Sequence, residues 1–306
     1  MALIDLLSPD ARSAADRLGA DFTRAQPFPH FTFDGLLDDA YFRRLQQEFP
    51  PFDPANALND FGKPGGKAVC SRPAQIGPAY AELDSLFQDR QFLSWMGRAT
   101  AMEDLLYDPD YYGGGTHENL SGESLDPHVD FNIHPRTRWH RRLNLILFLN
   151  DEWSADWGGS LRLQRDPWGP VAEDQIVEIT PQANRCAVFE TSERSWHGFP
   201  RITIPDSHTD RTRRTIAVYF YSHDRPAHEV VPEHGTYYVP PPLPERYQHD
   251  EELRSLIEAR DHRLRHHWER ERELRETLHK IDRSVSVRVA RILTWPARKI
   301  RSVFSL

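Results

Sequence analysis

The segment DPHVDFN, Asp126 to Asn132, sets His128 and Asp130 two positions apart. In an extended strand residues i and i+2 point to the same face. An imidazole and a carboxylate would then project side by side, as a metal ion requires. Chance supplies such pairs readily in a chain with 15 histidines and 46 acidic residues, so a ligand-free surface pair is the plain alternative. One His and one Asp need at least a third partner. His197, in ETSERSWHGFPRI, follows the apolar stretch CAVFE and opens another extended segment. A surface-loop histidine is the alternative there, and His134, His140, His208 and His223 compete for the role.

Two histidines and one carboxylate on one face of an octahedron make a ferrous donor set with open positions. The next segment, RRTIAVYFYS from Arg213 to Ser222, adds a cation. Arg213, Thr215, Ala217 and Tyr219 share one face of a strand; Arg214, Ile216, Val218 and Phe220 share the other. An arginine leading a row of small residues offers a fork for a carboxylate at the end of a pocket. A surface strand that begins with two arginines is the alternative.

DPHVDFN, LILFLNDEW, WGGSLRL, VFETSERSWHGFP and RRTIAVYFYS, in that order, resemble the Fe(II)/2-oxoglutarate-dependent oxygenases, in particular the prolyl-hydroxylase-like branch. The similarity covers roughly residues 100–225. It implies that His128, Asp130 and His197 hold Fe(II) and form the catalytic centre. It implies that Arg213 binds the distal carboxylate of 2-oxoglutarate, with Thr215 on the same face. Arg214 is the fallback, because a one-residue slip flips the face. The branch often carries a tyrosine nine residues before the first histidine and a glycine six before it. Gly122 keeps the glycine; Asn119 stands in the tyrosine's place, where an amide can still donate to a carboxylate. On LNLILFLN, Asn144, Ile146 and Phe148 share a face expected to line the pocket, with Asn144 near the cosubstrate or substrate; core packing is the alternative for Ile146 and Phe148. The implied reaction consumes 2-oxoglutarate and O2, releases succinate and CO2, and hydroxylates an unactivated C–H bond, with ascorbate as an accessory reductant. Asp130 favours hydroxylation, because halogenating relatives lack this carboxylate.

The elements that must position these groups are legible in the periodicity. From about residue 106 the hydrophobic period changes from 3.6 to 2. Short segments at 116–120, 127–132, 142–149, 160–164, 175–179, 185–190, 197–203 and 213–221 alternate and are separated by turn residues, as in a sandwich, barrel or jelly roll. With the resemblance, the expected fold is mainly β with flanking helices: a double-stranded β-helix (jelly roll) core over about 106–225, with a C-terminal helical extension. Residues 1–25 read as one amphipathic helix. Phe31 and Phe33 mark a short strand ended by Gly35. Residues 40–49 are helical with Phe42, Leu45 and Phe49 on one stripe, stopped by Pro50-Pro51. Residues 53–78 read as a long loop, either a lid or a surface excursion, and 79–105 as two helices. The oxygenase domain is expected over 1–239. A proline linker and a charged helical tail fill 240–306, with an apolar stripe running from Leu253 to Ile292.

The chain has 306 residues, of which 39% are hydrophobic, enough for one large domain with extensions. No apolar run reaches the length of a spanning helix, and the N-terminus lacks the basic start of a secretory signal. Two cysteines make no disulfide framework, which points to a reducing cytoplasm. A net charge of -8 argues against nucleic acid as a partner. The last stretch, 283–306, has six basic residues and no acidic one, interleaved with apolar ones. Such a segment suits the anionic inner face of a membrane, or self-association, or packing on the acidic body. The expected substrate is a small molecule, peptide or glycan, prolyl-type by resemblance. The competing reading is a non-catalytic jelly-roll binding module, docked to a membrane or partner by its C-terminal helix.

Overall fold

A computed structural model of the chain describes residues 2–57, 65–169, 171–240, 247 and 249–283. The chain divides into two units, 1–224 with 235–241, and 225–234 with 242–306.

In the first unit, short helices α1 (Pro9–Ser13) and α2 (Ala15–Phe22) lead to strand β1 (His30–Asp34), followed by helix α3 (Asp39–Glu48) and strand β2 (Lys67–Cys70). Helices α4 (Pro78–Gln88) and α5 (Arg90–Thr100) come next, then β3 (Leu106–Tyr107), β4 (Gly115–Asn119), β5 (Leu125–Val129) and β6 (His140–Phe148). The remaining strands are β7 (Leu161–Gln164), β8 (Ile176–Ile179), β9 (Arg185–Glu190), β10 (Trp196–Phe199), β11 (Arg213–Ser222) and β12 (Tyr237–Tyr238). They form a seven-stranded sheet in the order β1-β9-β6-β11-β4-β2, with β3 also on β11, and a five-stranded sheet in the order β12-β5-β10-β7-β8. The strand pairs are antiparallel. This is a jelly roll with flanking helices, without barrel closure.

Strand alternation sets the two faces of the larger sheet. Leu143, Leu145 and Leu147 of β6, with Ile216, Val218 and Phe220 of β11, pack in one cluster with Leu18 and Phe22 of α2, Leu83 and Phe87 of α4 and Phe92 and Met96 of α5. The opposite face of that sheet meets the smaller sheet. Phe148, Ala187 and Phe189 pack there with Leu161, Leu163 and Ile179. Asn119, Asn144 and Arg213 project from this inner face, His128 and His197 belong to the smaller sheet, and the helices brace the larger sheet from behind.

Two expectations are corrected. Residues 1–25 are not one helix: a 3-10 turn at Leu3–Leu6 precedes α1, and the Ser8 side chain accepts from Ala11 N at 3.1 Å with Pro9 at the first helical position. Proline tolerates only the start of a helix, so the pattern restarts at residue 9. The span 53–78 is not a plain loop, because β2 lies within it and pairs Lys67 with Asn119 and Val69 with His117 of β4. Its four residues follow Gly65 and Gly66, whose turn signal conceals an edge strand. The lid reading falls partly on 58–64, outside the described residues.

The second unit contains α6 (Glu251–Arg283). Arg/Glu pairs four apart line it, among them Arg254–Glu258 and Arg265–Glu269. Leu256, Leu264, Leu274, Leu278 and Ile281 are exposed on it. Among the described residues, no helix is long and apolar enough to cross a membrane. The basic tail beyond Arg283, with its membrane and self-association readings, lies outside the described residues, as do 241–246 of the expected linker.

Candidate metal and cosubstrate site

His128 and His197 are register partners across β5 and β10, and Asp130 follows directly after β5. Their side chains meet: His128 Nε2 is 3.8 Å from Asp130 Oδ1, and His197 Nε2 is 3.4 Å from Asp130 Oδ2. The two imidazoles lie 4.2 Å apart, centroid to centroid. Gly198 makes the approach possible, because a Cβ there would collide with the carbonyl oxygen of Leu125 on β5.

The hydrogen bonds fix which nitrogen faces the centre. His128 Nδ1 is 2.9 Å from the carbonyl of Asp126, and His197 Nδ1 is 2.9 Å from that of Ser195. A carbonyl only accepts, so each Nδ1 carries the proton and each Nε2 presents a lone pair. Burial lowers the pKa of both rings, His197 to about 3, with the neighbouring His128 adding to the effect there. Both are therefore neutral ligand bases at neutral pH. Burial works against the ionised form of Asp130. The charge of Arg141 and an Asn144 hydrogen bond outweigh it and hold the carboxyl well below its usual range. Two neutral Nε2 donors and an ionised carboxylate fit a single divalent ion such as Fe(II).

A cavity of about 270 Å³ adjoins this cluster. His117 and Asn119 line it from β4, Asn144 and Ile146 from β6, and Arg213, Thr215, Ala217 and Tyr219 from β11. Arg213 is 4% exposed. Its Nε donates to the carbonyl of Gly159 at 2.7 Å, and its guanidinium lies 4.2 Å from the Phe199 ring centroid and 5.4 Å from that of Phe148. The Gly158-Gly159 turn, with both φ near +70°, brings that carbonyl into place in a conformation side chains resist. Among the described residues no carboxylate pairs with Arg213, and burial alone pulls it down to about 9. A buried cation of this kind fits an anionic ligand. Arg214 points the other way, 3.0 Å from Glu118 and over the Phe49 ring. Phe148 differs from expectation: it packs with Phe28, Leu163 and Phe189 and is absent from the cavity wall.

The rival histidines lie elsewhere. His223 meets Trp139 and His208 meets Trp157; His140 opens β6. His134 belongs to a second His-carboxylate cluster with Asp108 and Asp110. Its Nδ1 accepts from the backbone N–H of Arg136 at 3.2 Å and Thr137 at 3.1 Å. Arg136 forks Asp110, while Asp108 accepts from the backbone N–H of Asp110 and Tyr112.

Residues 114–222 match the family model described as the 2OG-Fe(II) oxygenase superfamily. The chain carries a 2OG-Fe(II) oxygenase domain. Solved structures similar to it include a Trichoplax adhaerens prolyl hydroxylase in complex with a hypoxia inducible factor oxygen degradation domain peptide. That match has 15% identity and a TM-score of 0.47 and covers 71% of this chain and 95% of that one. A Pseudomonas putida prolyl-4-hydroxylase matches at 16% identity and TM-score 0.44, covering 71% and 96%. HygX from Streptomyces hygroscopicus, with nickel and 2-oxoglutarate bound, matches at 13% and 0.43, covering 63% and 82%. No curated protein matches the sequence.

Sequence reasoning about the oxygenase domain missed Arg141, whose Nη2 lies 2.9 Å from Asp130 Oδ2. It also missed Tyr238, which pairs with His128 across β12 and β5 and packs on its ring at 5.0 Å. A two-residue strand 108 positions beyond Asp130 leaves no periodic signal. Lys67 lines the cavity from β2, the strand concealed by its glycine flanks.

Proposed function

We propose that the oxygenase domain hydroxylates an unactivated C–H bond, with Fe(II) on His128, Asp130 and His197 and 2-oxoglutarate anchored through Arg213. When bound, the ion and cosubstrate supply the oxidising chemistry, with release of succinate and CO2. The chain's own work is binding and orientation. Arg213 takes the distal carboxylate, with Thr215 and Asn119 beside it on the same wall. Asn119 and Arg213 are register partners on β4 and β11, so the amide sits within reach of the same anion. The observation that carries the reading is the convergence of three ligand atoms on one point beside a buried arginine that, among the described residues, no carboxylate neutralises.

The mouth bears on substrate. Tyr238 is 56% exposed beside His128, and Tyr112 is 49% exposed with its ring 5.1 Å from that of Phe131. An exposed aromatic face on the cavity lining, that of Tyr238, suits a saturated ring presented edge or face on, which supports a prolyl-type target in a peptide. Purified protein with Fe(II), 2-oxoglutarate and ascorbate is expected to release succinate in step with hydroxylation of a proline-containing peptide from a screened set. Succinate coupled instead to a free amino acid or glycan would keep the reaction and replace the substrate.

A further inference from the structure

Asp130 is held by two side chains that the metal-and-cosubstrate reading does not require. Arg141 is 1% exposed and places Nη2 2.9 Å from Asp130 Oδ2. Asn144 Nδ2 donates to the same oxygen at 2.8 Å. Asn144 Oδ1 in turn accepts from Arg141 Nε at 3.0 Å and Nη2 at 2.8 Å, which closes a three-residue ring. The guanidinium is fixed by aromatic faces, 3.6 Å from the Tyr219 centroid and 4.5 Å from that of Phe131. Oδ2 is thus engaged by one hydrogen bond and one ion pair, with His197 Nε2 3.4 Å from it. Among the described residues none donates to Oδ1, the oxygen that faces His128.

We infer that Arg141 and Asn144 are positioning residues that make Asp130 a one-oxygen ligand, with Oδ2 clamped and Oδ1 alone given to the ion. The inference rests on the Fe(II)/2-oxoglutarate reading and deepens it. A carboxylate free to use both oxygens would still hold the ion, and would occupy a coordination position that the chelating end of 2-oxoglutarate needs. The clamp therefore protects cosubstrate binding more than metal binding. A merely structural role for Arg141 would weaken both together.

The test is an anaerobic titration of the full chain with Fe(II), followed by 2-oxoglutarate. Metal affinity is read by competition with a chromophoric chelator, and cosubstrate affinity by the metal-to-ligand charge-transfer band. Arg141→Met, which keeps length and packing between the rings, is expected to bind Fe(II) as tightly as the wild type or more so. It should need about tenfold more 2-oxoglutarate for half the band, the scale of one lost charge-assisted contact. Arg141→Lys should recover much of that loss, and Asn144→Ala should show the same split more weakly. If Arg141→Met does not fold, Asn144→Ala carries the test. Equal losses in both affinities, or an unchanged cosubstrate affinity, would overturn the clamp. Absence of the band in the wild type would instead remove the oxygenase reading on which it rests.

Discussion

Two clusters in this chain combine histidine with aspartate at metal-ligand distances, His128/Asp130/His197 and Asp108/Asp110/His134. Histidine burial does not separate them: His134 is 1% exposed, His128 and His197 5% each. The hydrogen bonds made by the far ring nitrogens do. In the first cluster each Nδ1 donates to a carbonyl, so the Nε2 lone pairs face inward. In the second, Nδ1 of His134 accepts from two backbone N–H groups, so in the neutral ring the proton sits on Nε2, facing Asp108 Oδ1 at 3.3 Å. An N–H is not a ligand. Asp108 and Asp110 are also already engaged, by backbone N–H groups and by Arg136. The first cluster turns its lone pairs inward, as holding an ion would require; the second closes a turn. A metal site is thus read from what lies behind the ligands as much as from the ligands themselves.

This contrast can be broken by mutation. The largest effect is expected from His128→Ala, Asp130→Ala or His197→Ala, each of which should abolish both Fe(II) binding by chelator competition and 2-oxoglutarate-dependent succinate release. Arg213→Ala should raise the 2-oxoglutarate concentration for half-maximal turnover by about 10²-fold, the scale of a lost buried charge pair. Arg214→Ala should leave it unchanged, and the reverse result would mean that the register of β11 is misassigned. His134→Ala should leave iron stoichiometry intact while lowering stability by roughly 2–4 kcal/mol in denaturant melts, because two backbone donors lose their acceptor and Tyr221 loses a packing face. Gly198→Ala should weaken Fe(II) binding by only a few-fold, by pushing β10 away from β5 without removing a ligand.

Much of the site was legible because it obeys period two. His128 and Asp130, and Arg213 with Thr215, Ala217 and Tyr219, fall on one face by parity, and the structure places them there. Arg141 was not legible for the same reason. Parity from Asn144 and Ile146 assigns Arg142 to the inner face. The β6–β11 register instead runs from Leu143–Phe220 to Arg141–Tyr221, skipping Arg142. That bulge turns Arg141 inward, and a one-residue insertion of this kind leaves no trace in a hydrophobic pattern. Tyr238 escaped because its strand is defined only by its partner β5. Phe148 followed the parity rule yet ended in the core, since facing inward in a jelly roll means facing either the cavity or the opposite sheet.

The most direct measurement is anaerobic Fe(II) titration with saturating 2-oxoglutarate, comparing wild type, His197→Ala and His134→Ala. One iron per chain with a charge-transfer band in the wild type and in His134→Ala, and neither in His197→Ala, is the expected result. A second iron per chain lost in His134→Ala, or a band that survives in His197→Ala, would contradict it.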